Sequence, residues 1–347
     1  MAGHIRWQAD ACRQLGSPLY SVLLDHVADD VLAGGPSADV LAGHENDPGP
    51  SALALRLMGS VHRLVLERCA PALAEFFPSV GGEAAAEEAW PALREVLVEH
   101  RGELRRLLAL DQAPQTNEVG RAAALIGGLA HVVAEWPGPL RLFEIGASAG
   151  LNLRADKYRV ALPGGLGLGP LDSPVVLDNA WQGRLPPLGA PLEIVERSGC
   201  DTAPLDATTD DGRLRLTSYV WPDQRARLDR LRGALEIAAR VPATVDRATG
   251  RDFVRRIELV PGTTTVIWHS VTWQYLGVDE QEDVSARLDD LAAQADERSR
   301  FAHLLLEPRR RTPSSEWEFL LVLRIWPGGD ERVLATAHPH GLPTTWS

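Results

Sequence analysis

The chain has 347 residues with 35 basic and 47 acidic side chains, a formal net charge of −12, and no basic run, which argues against a nucleic-acid partner and for a small-molecule one. Its length allows one large or two modest cores. Three scattered cysteines, Cys12, Cys69 and Cys200, make neither a disulfide framework nor a zinc ribbon and suit a reducing cytoplasm, while no signal-peptide pattern opens the chain and no apolar run reaches the roughly 18 residues of a bilayer span.

Residues before 140 read as helices. Ser17-Pro18 is a cap followed by a first-turn proline, and Leu19, Val22, Leu23, Val27 and Val31 recur at helical spacing. Leu53 to Phe77 continues the pattern through Leu57, Val61 and Leu64, with a break expected at Pro71. An amphipathic segment follows from Glu83 to Leu110, and Thr116 or Asn117 caps another that runs through Val119, Ile126, Leu129 and Val133. These observations predict an all-helical N-terminal domain over 1–112 and an α/β domain over 113–347.

Leu140 to Ile145 is the first strand, and it runs into a turn of small residues, Gly146-Ala147-Ser148-Ala149-Gly150. Glycines at 146 and 150 permit positive φ and a close backbone approach, and Glu144 brings a carboxylate to the strand end. The pattern Glu-x-Gly-x-Ser-x-Gly has two functional readings: a nucleotide-binding turn of Rossmann-like type, or a Gly-x-Ser-x-Gly nucleophile elbow with Ser148 attacking. Such an elbow follows several strands and an oxyanion loop, and residues 1–139 supply neither. Element order therefore favours the nucleotide-binding turn.

Downstream, Leu192 to Glu196 reads as a strand ending in an acid placed to accept from ribose hydroxyls, although the Gly/Pro-rich segment before it implies an inserted loop or hairpin. A helix is predicted from Pro222-Asp223 to Arg240, then a strand at Ala243–Asp246, with Asp246 placed for an adenine amino group. Thr263 to His269 is a buried, β-prone strand that delivers His269 to the ligand edge. Asp279 to Arg298 is a helix with acids in its first turn, and His303–Glu307 another strand. Glu316–Trp326 and Glu331–Ala337 flank Pro327-Gly328-Gly329-Asp330 as a hairpin.

The segments Gln115–Arg121, Glu144–Asn152, Asp156–Tyr158, Arg197–Asp201, Tyr219–Gln224 and Trp268–Ser270 resemble those of a bacterial family of unknown function over nearly the whole chain. Over about 140–338 the chain also resembles class I S-adenosylmethionine-dependent methyltransferases. That second resemblance implies an α/β, Rossmann-like methyltransferase sheet with a terminal antiparallel hairpin. It implies S-adenosylmethionine as cofactor, with Glu144, Gly146, Ser148 and Gly150 around its methionine portion, Asn152 as a further cofactor-binding residue, Glu196 at the ribose and Asp246 at the adenine.

The remaining candidates each have a plainer alternative. Asn117, Glu118 and Arg121 serve either a substrate pocket or a helix cap with an ion pair. His269 is either the base that takes a proton from the methyl acceptor or a hydrogen-bonded structural histidine. Trp221, Trp268, Trp273 and Tyr275 stack on adenine, meet the sulfonium, or pack a core, and Asp156-Lys157-Tyr158 closes over a ligand or ends a short helix. His338 and His340 lack a third ligand at a recognisable spacing, so no metal site is expected. Two further functions stay open: a Ser148 hydrolase with Asp246 or Asp279 and one of His303, His338 or His340, and a nucleotide-binding protein without turnover.

Overall fold

The computed structural model describes residues 1–110, 114 and 116–347; Gln115 and the expected domain boundary at 112/113 lie outside the described residues. Two compact units emerge, Met1–Thr116 with Thr209–Asp229, and Asn117–Thr208 with Arg230–Ser347. The stretch Thr209–Asp229, expected inside the α/β part, folds with the helices.

The first unit contains α1 (Ala2–Gln14), α2 (Pro18–Leu32), α3 (Pro36–Leu41), α4 (Leu53–Leu66), α5 (Pro71–Ala74), α6 (Trp90–Glu99) and α7 (Arg101–Leu110). After α8 (Ala122–Glu135) and part of the second unit, α9 (Asp210–Ser218) returns to it. Pro71 occupies the first turn of α5, the one helical position where a missing N–H costs nothing. Ser17 caps α2: its hydroxyl accepts from the Tyr20 amide and donates to Asp223 at 2.7 Å. Asp223 thereby serves α2 and does not open the helix after it, α10 (Arg225–Ala238). Leu23, Leu24 and Val27 of α2 join Leu57, Met58 and Val61 of α4, Leu93 and Leu97 of α6, and Leu104 and Leu108 of α7 in one core. Trp221 belongs to that core, tilted against Tyr20 at 6.2 Å with the Arg227 guanidinium 5.5 Å from its ring centre.

The second unit is α/β, built on a large mixed sheet. Its strands are β1 (Leu140–Ile145), β2 (Arg159–Ala161), β3 (Gly167–Leu168), β4 (Val176–Asp178), β5 (Trp181–Gly183), β6 (Ile194–Asp201), β7 (Thr244–Arg247), β8 (Thr263–Ser270), β9 (Ser299–Arg309), β10 (Glu318–Trp326), β11 (Arg332–Ala337) and β12 (Thr344–Trp346). Nine of them form one sheet in the order β5-β12-β11-β10-β9-β8-β1-β6-β7. From β7 to β9 neighbours run parallel, whereas β9 to β12 is an antiparallel meander. The expected hairpin is therefore present as β10 and β11, and it is flanked on both sides by further antiparallel partners. The inserted segment after Tyr158 supplies β5 and a separate small sheet, β3-β2-β4.

Helices lie against both faces of the large sheet. On one, Phe143, Ile145, Cys200 and Ile267 pack against Phe253 and Val254 of α11 (Gly250–Val254) and Val284, Leu288 and Leu291 of α12 (Val278–Gln294). On the other, α8 comes in closely because two of its residues have no side chain: a Cβ at Gly127 would lie 2.1 Å from the Trp346 ring, and one at Gly128 2.5 Å from Leu304. Among the described residues no helix is long and apolar enough to cross a membrane.

Candidate functional site

Strand order reverses direction between β1 and β8, because the chain leaves β1 for β6 on one side and returns to β8 on the other. In open parallel sheets a crevice forms at the carboxyl ends of the strands at such a point. The residues there are Glu144 to Asn152 from β1 and its turn, Asp201 from β6, and Ser270 to Trp273 from the end of β8 and the turn after it.

The turn is left-handed three times, at Gly146 (φ 72°), Ser148 (φ 53°) and Gly150 (φ 67°). Its backbone is tied at several points. Asp201 accepts from the Ser148 amide at 2.9 Å, Asn117 accepts from the Leu151 amide at 2.8 Å, and the Leu205 amide donates to the Ser148 carbonyl at 3.2 Å. Arg154 donates to the Gly150 carbonyl at 2.7 Å, and Asn152 Nδ2 to the Glu118 carbonyl at 3.3 Å. The two glycines answer to packing within the unit: a Cβ at 146 would sit 2.2 Å from Thr272 Oγ1, and one at 150 would sit 2.7 Å from Val245. Neither requires a ligand to explain it.

Several polar atoms nearby are left over. Glu144 Oε2, Ser148 Oγ, Asn152 Oδ1 and Trp268 Nε1 are buried and complete no hydrogen bond of ordinary geometry, whereas buried polar atoms in folded proteins are paired in the large majority. Burial pushes the Glu144 carboxyl up to about 8, against opposing influences from the Trp268 indole, its neighbour across the β1–β8 pair, and from the Arg121 guanidinium. Glu144 is therefore mostly protonated at neutral pH. Arg121 itself donates to the Pro339 and Ser270 carbonyls at 3.0 and 3.4 Å, and Glu118 accepts from the Gly120 amide at 3.0 Å.

His269 lies elsewhere in the chemistry than its sequence position implied. Its Nδ1 meets Glu307 at 2.8 Å, its Nε2 meets His303 Nε2 at 3.1 Å, and Trp273 stacks on the ring at 5.1 Å. With both nitrogens engaged and the ring buried, His269 is not placed to take a proton directly from a substrate. The same Glu307 oxygen accepts from the Thr272 and Trp273 amides at 2.9 and 3.2 Å, while its second oxygen has no partner. Glu307 thus clamps a turn in which Val271, a β-branched residue, is held at φ 51°. Burial, with the neighbouring His269 and Arg324 adding to it, drives the His303 pKa well below its ordinary value. One N–H lies between the two histidine Nε2 atoms, and His269 Nδ1 faces Glu307 Oε1.

Other expected residues separate. Glu196 pairs in register with Arg141 near the start of β1 and forms an ion pair with it at 2.6 Å. It lies about five strand residues, roughly 16 Å, short of the ligand end. The acid at that end is Asp201, because β6 continues through Arg197, Ser198 and Gly199. Asp246 does stand at the carboxyl end of β7, level with Cys200 and paired with Arg256 at 2.9 Å. Tyr158 is fully buried and donates to the Leu151 carbonyl at 2.5 Å. Trp268 is buried in the sheet, Tyr275 is half-exposed, and Trp221 is a core residue of the helical unit. Ser148 Oγ bonds no histidine; His338 and His340 pack edge to face at 5.3 Å, and the His340 amide donates to His338 Nδ1. Asp201, Glu307, Thr272 and Arg154 escaped the sequence reading, and His303 entered it only as a candidate for the hydrolase. Only Asp201 left a local signal, an acid directly after Cys200 where the polar run 196–199 disguises a continuing strand.

The family model described as "Uncharacterized protein conserved in bacteria (DUF2332)" matches residues 2–346. The chain belongs to the DUF2332 family. No curated protein and no solved structure matches it. Two of the segments that carry the DUF2332 resemblance, Asn117–Arg121 and Glu144–Asn152, meet in the structure as the two halves of one tied turn. Among the described residues no three His, Cys, Asp or Glu side chains gather as a metal site.

Proposed function

We propose that this DUF2332 chain binds S-adenosylmethionine at the carboxyl ends of β1 and β6 and directs methyl transfer to a small molecule. One observation carries the reading: Ser148 Oγ and Asn152 Oδ1, in the turn after β1, are buried without a partner, and beside them the buried Glu144 carboxyl at the strand end faces only the poorly aligned Trp268 indole. A ligand bearing an ammonium and hydroxyl groups satisfies them. The parallel strands support it too, since β7-β6-β1-β8-β9 repeats the 3-2-1-4-5 order of doubly wound nucleotide-binding sheets. The antiparallel meander that follows is this chain's own departure from a methyltransferase sheet.

In this reading Asp201 takes the ribose role first given to Glu196. Each of its oxygens accepts one backbone amide, Ser148 and Ala203, and keeps a further lone pair. Asp246 is the candidate for the adenine. The bound sulfonium supplies an electrophilic methyl group, and the chain's contribution is placement of the acceptor in line with it. The base role passes from His269 to Glu307, whose second oxygen is unpartnered, with His269 and His303 positioned behind it.

Titration calorimetry with S-adenosylmethionine and S-adenosylhomocysteine tests the proposal. An ammonium beside the mostly neutral Glu144 favours its carboxylate, so binding at pH 7 releases up to about one proton, measured by repeating the titration in buffers of different ionisation enthalpy. Glu144→Gln abolishes the release and weakens binding about tenfold. Absence of saturable binding to folded protein sinks the reading. The hydrolase alternative keeps one observation, the left-handed Ser148 on a strand-to-turn junction. Covalent labelling of Ser148 by a fluorophosphonate is its test.

A further inference from the structure

The first unit holds a serine and a histidine, bonded to each other, that methyl transfer does not use. His62 of α4 is fully buried, and Ser79, in the short helical turn Pro78–Val80 after α5, is partly exposed. His62 Nδ1 meets the Ser218 carbonyl at the end of α9 at 3.1 Å, and its Nε2 meets Ser79 Oγ at 2.8 Å. A carbonyl oxygen only accepts, so Nδ1 carries the ring proton. Burial lowers the His62 pKa to about 4, which leaves the ring neutral at pH 7 and its Nε2 with a lone pair. The Ser79 hydroxyl therefore donates to Nε2. Phe77 packs tilted against the ring at 5.6 Å. A nucleophile, a base and a third group that orients the base thus stand in order, with a main-chain carbonyl where serine hydrolases carry a carboxylate. Ser148, at the centre of the Gly-x-Ser-x-Gly pattern, bonds no histidine.

The surroundings of Ser79 suit attack on an ester. Its amide donates to nothing among the described residues, and the nucleophile's own amide is one of the oxyanion donors in chymotrypsin-type hydrolases. Space is open beside it: a Cβ at Gly81 would meet no neighbouring atom within 4 Å, and Val80 is 43% exposed. We propose that Ser79 and His62 form an acyl-transfer site that hydrolyses short, activated carboxylic esters through an acyl-serine. Ser79 Oγ bonds to the ester carbonyl carbon as its proton passes to His62 Nε2. The bond from that carbon to the alcohol oxygen then breaks, and His62 returns the proton to the departing oxygen. Water repeats the sequence against the acyl-serine, which releases the carboxylic acid and restores both side chains. With no carboxylate behind it, His62 is a weak base and the reaction is slow. The site is independent of the methyl-transfer reading, since all three groups belong to the first unit.

The experiment uses the full chain with a fluorophosphonate and with p-nitrophenyl acetate. One phosphonyl or acetyl group per chain is expected, mapped to Ser79 by peptide mass spectrometry. Because His62 is already neutral there, the acylation rate is level from about pH 5 to 8, whereas an unassisted hydroxyl reacts about tenfold faster with each pH unit. His62→Gln slows acylation about a hundredfold or more. Ser79→Ala, a change at a partly exposed position, abolishes it with the circular dichroism spectrum unchanged. If His62→Gln does not fold, the mapped residue and the pH profile of the unaltered protein decide. No adduct, an adduct on Ser148 or elsewhere, a rate that climbs steadily with pH, or full rate in a folded His62→Gln protein overturns the proposal.

Discussion

Replacing Glu144 by glutamine isolates the electrostatics of the site. In the folded chain the carboxyl is fully buried and titrates at about 8, against an ordinary value of 4.5. Below pH 4.5 both folded and unfolded states carry the neutral acid, and the folded state loses nothing. Between 4.5 and 8 the unfolded chain ionises while the folded one does not, so stability falls by about 1.4 kcal/mol per pH unit, to a total of about 5 kcal/mol. Above 8 the loss is constant. Glutamine does not titrate, so the stability of the variant relative to wild type rises across that window. Its amide brings a donor where Oε2 had no partner, which costs about 1–3 kcal/mol at every pH and shifts the curve without changing its slope. Other titrating groups cancel in the difference. Urea unfolding of both proteins at intervals from pH 4 to 9 reads it directly. Parallel stability profiles for the two proteins refute the burial of a neutral Glu144.

Three further outcomes follow from the geometry. Burial lowers the His62 pKa to about 4 despite the Ser218 carbonyl beside its ring; stability supplied above pH 6.5 is lost as pH falls toward 4, by about 3 kcal/mol, and His62→Gln removes that slope in acid unfolding curves. Gly146→Ala adds a methyl group 2.2 Å from Thr272 Oγ1 at φ 72°, and a loss of about 2–4 kcal/mol in urea unfolding is expected. Glu307→Gln keeps an acceptor but removes the charge that three donors share; a loss of about 2 kcal/mol appears as hydrogen exchange about thirtyfold faster at the Thr272 and Trp273 amides.

The central sheet was legible wherever burial wrote itself as an apolar run. β1, β8, β9 and the β10–β11 hairpin fall within a few residues of expectation, because Leu142, Ile267, Leu304 and Leu321 have no polar competitor at their positions. β6 was cut short because Glu196, Arg197 and Ser198 look like a strand's end. The structure instead pairs the partly buried Arg197 with Asp156 and leaves Glu196 exposed beside Arg141, so charged side chains sit inside the strand at little desolvation cost. That single displacement moved the expected ribose acid from Asp201 to Glu196. The turn after β1 was visible from its glycines, but the groups that tie it, Asn117, Asp201 and Thr272, come from three distant segments. The occupation of His269 follows from strand register: Leu305 lies level with it, and His303 and Glu307, two residues to either side, reach it on the same face. No local pattern encodes such a meeting. The return of 209–229 to the helical unit is tertiary in the same sense, resting on contacts such as the Ser17–Asp223 bond.

Hydrogen exchange read by mass spectrometry, with and without saturating S-adenosylhomocysteine, tests most directly whether the unpartnered atoms at the end of β1 form the ligand site. Slower exchange in the peptides covering 144–152, 198–203 and 268–275, with other peptides unchanged, is the predicted result. Unchanged exchange in those three segments, or protection confined to other parts of the chain, contradicts it.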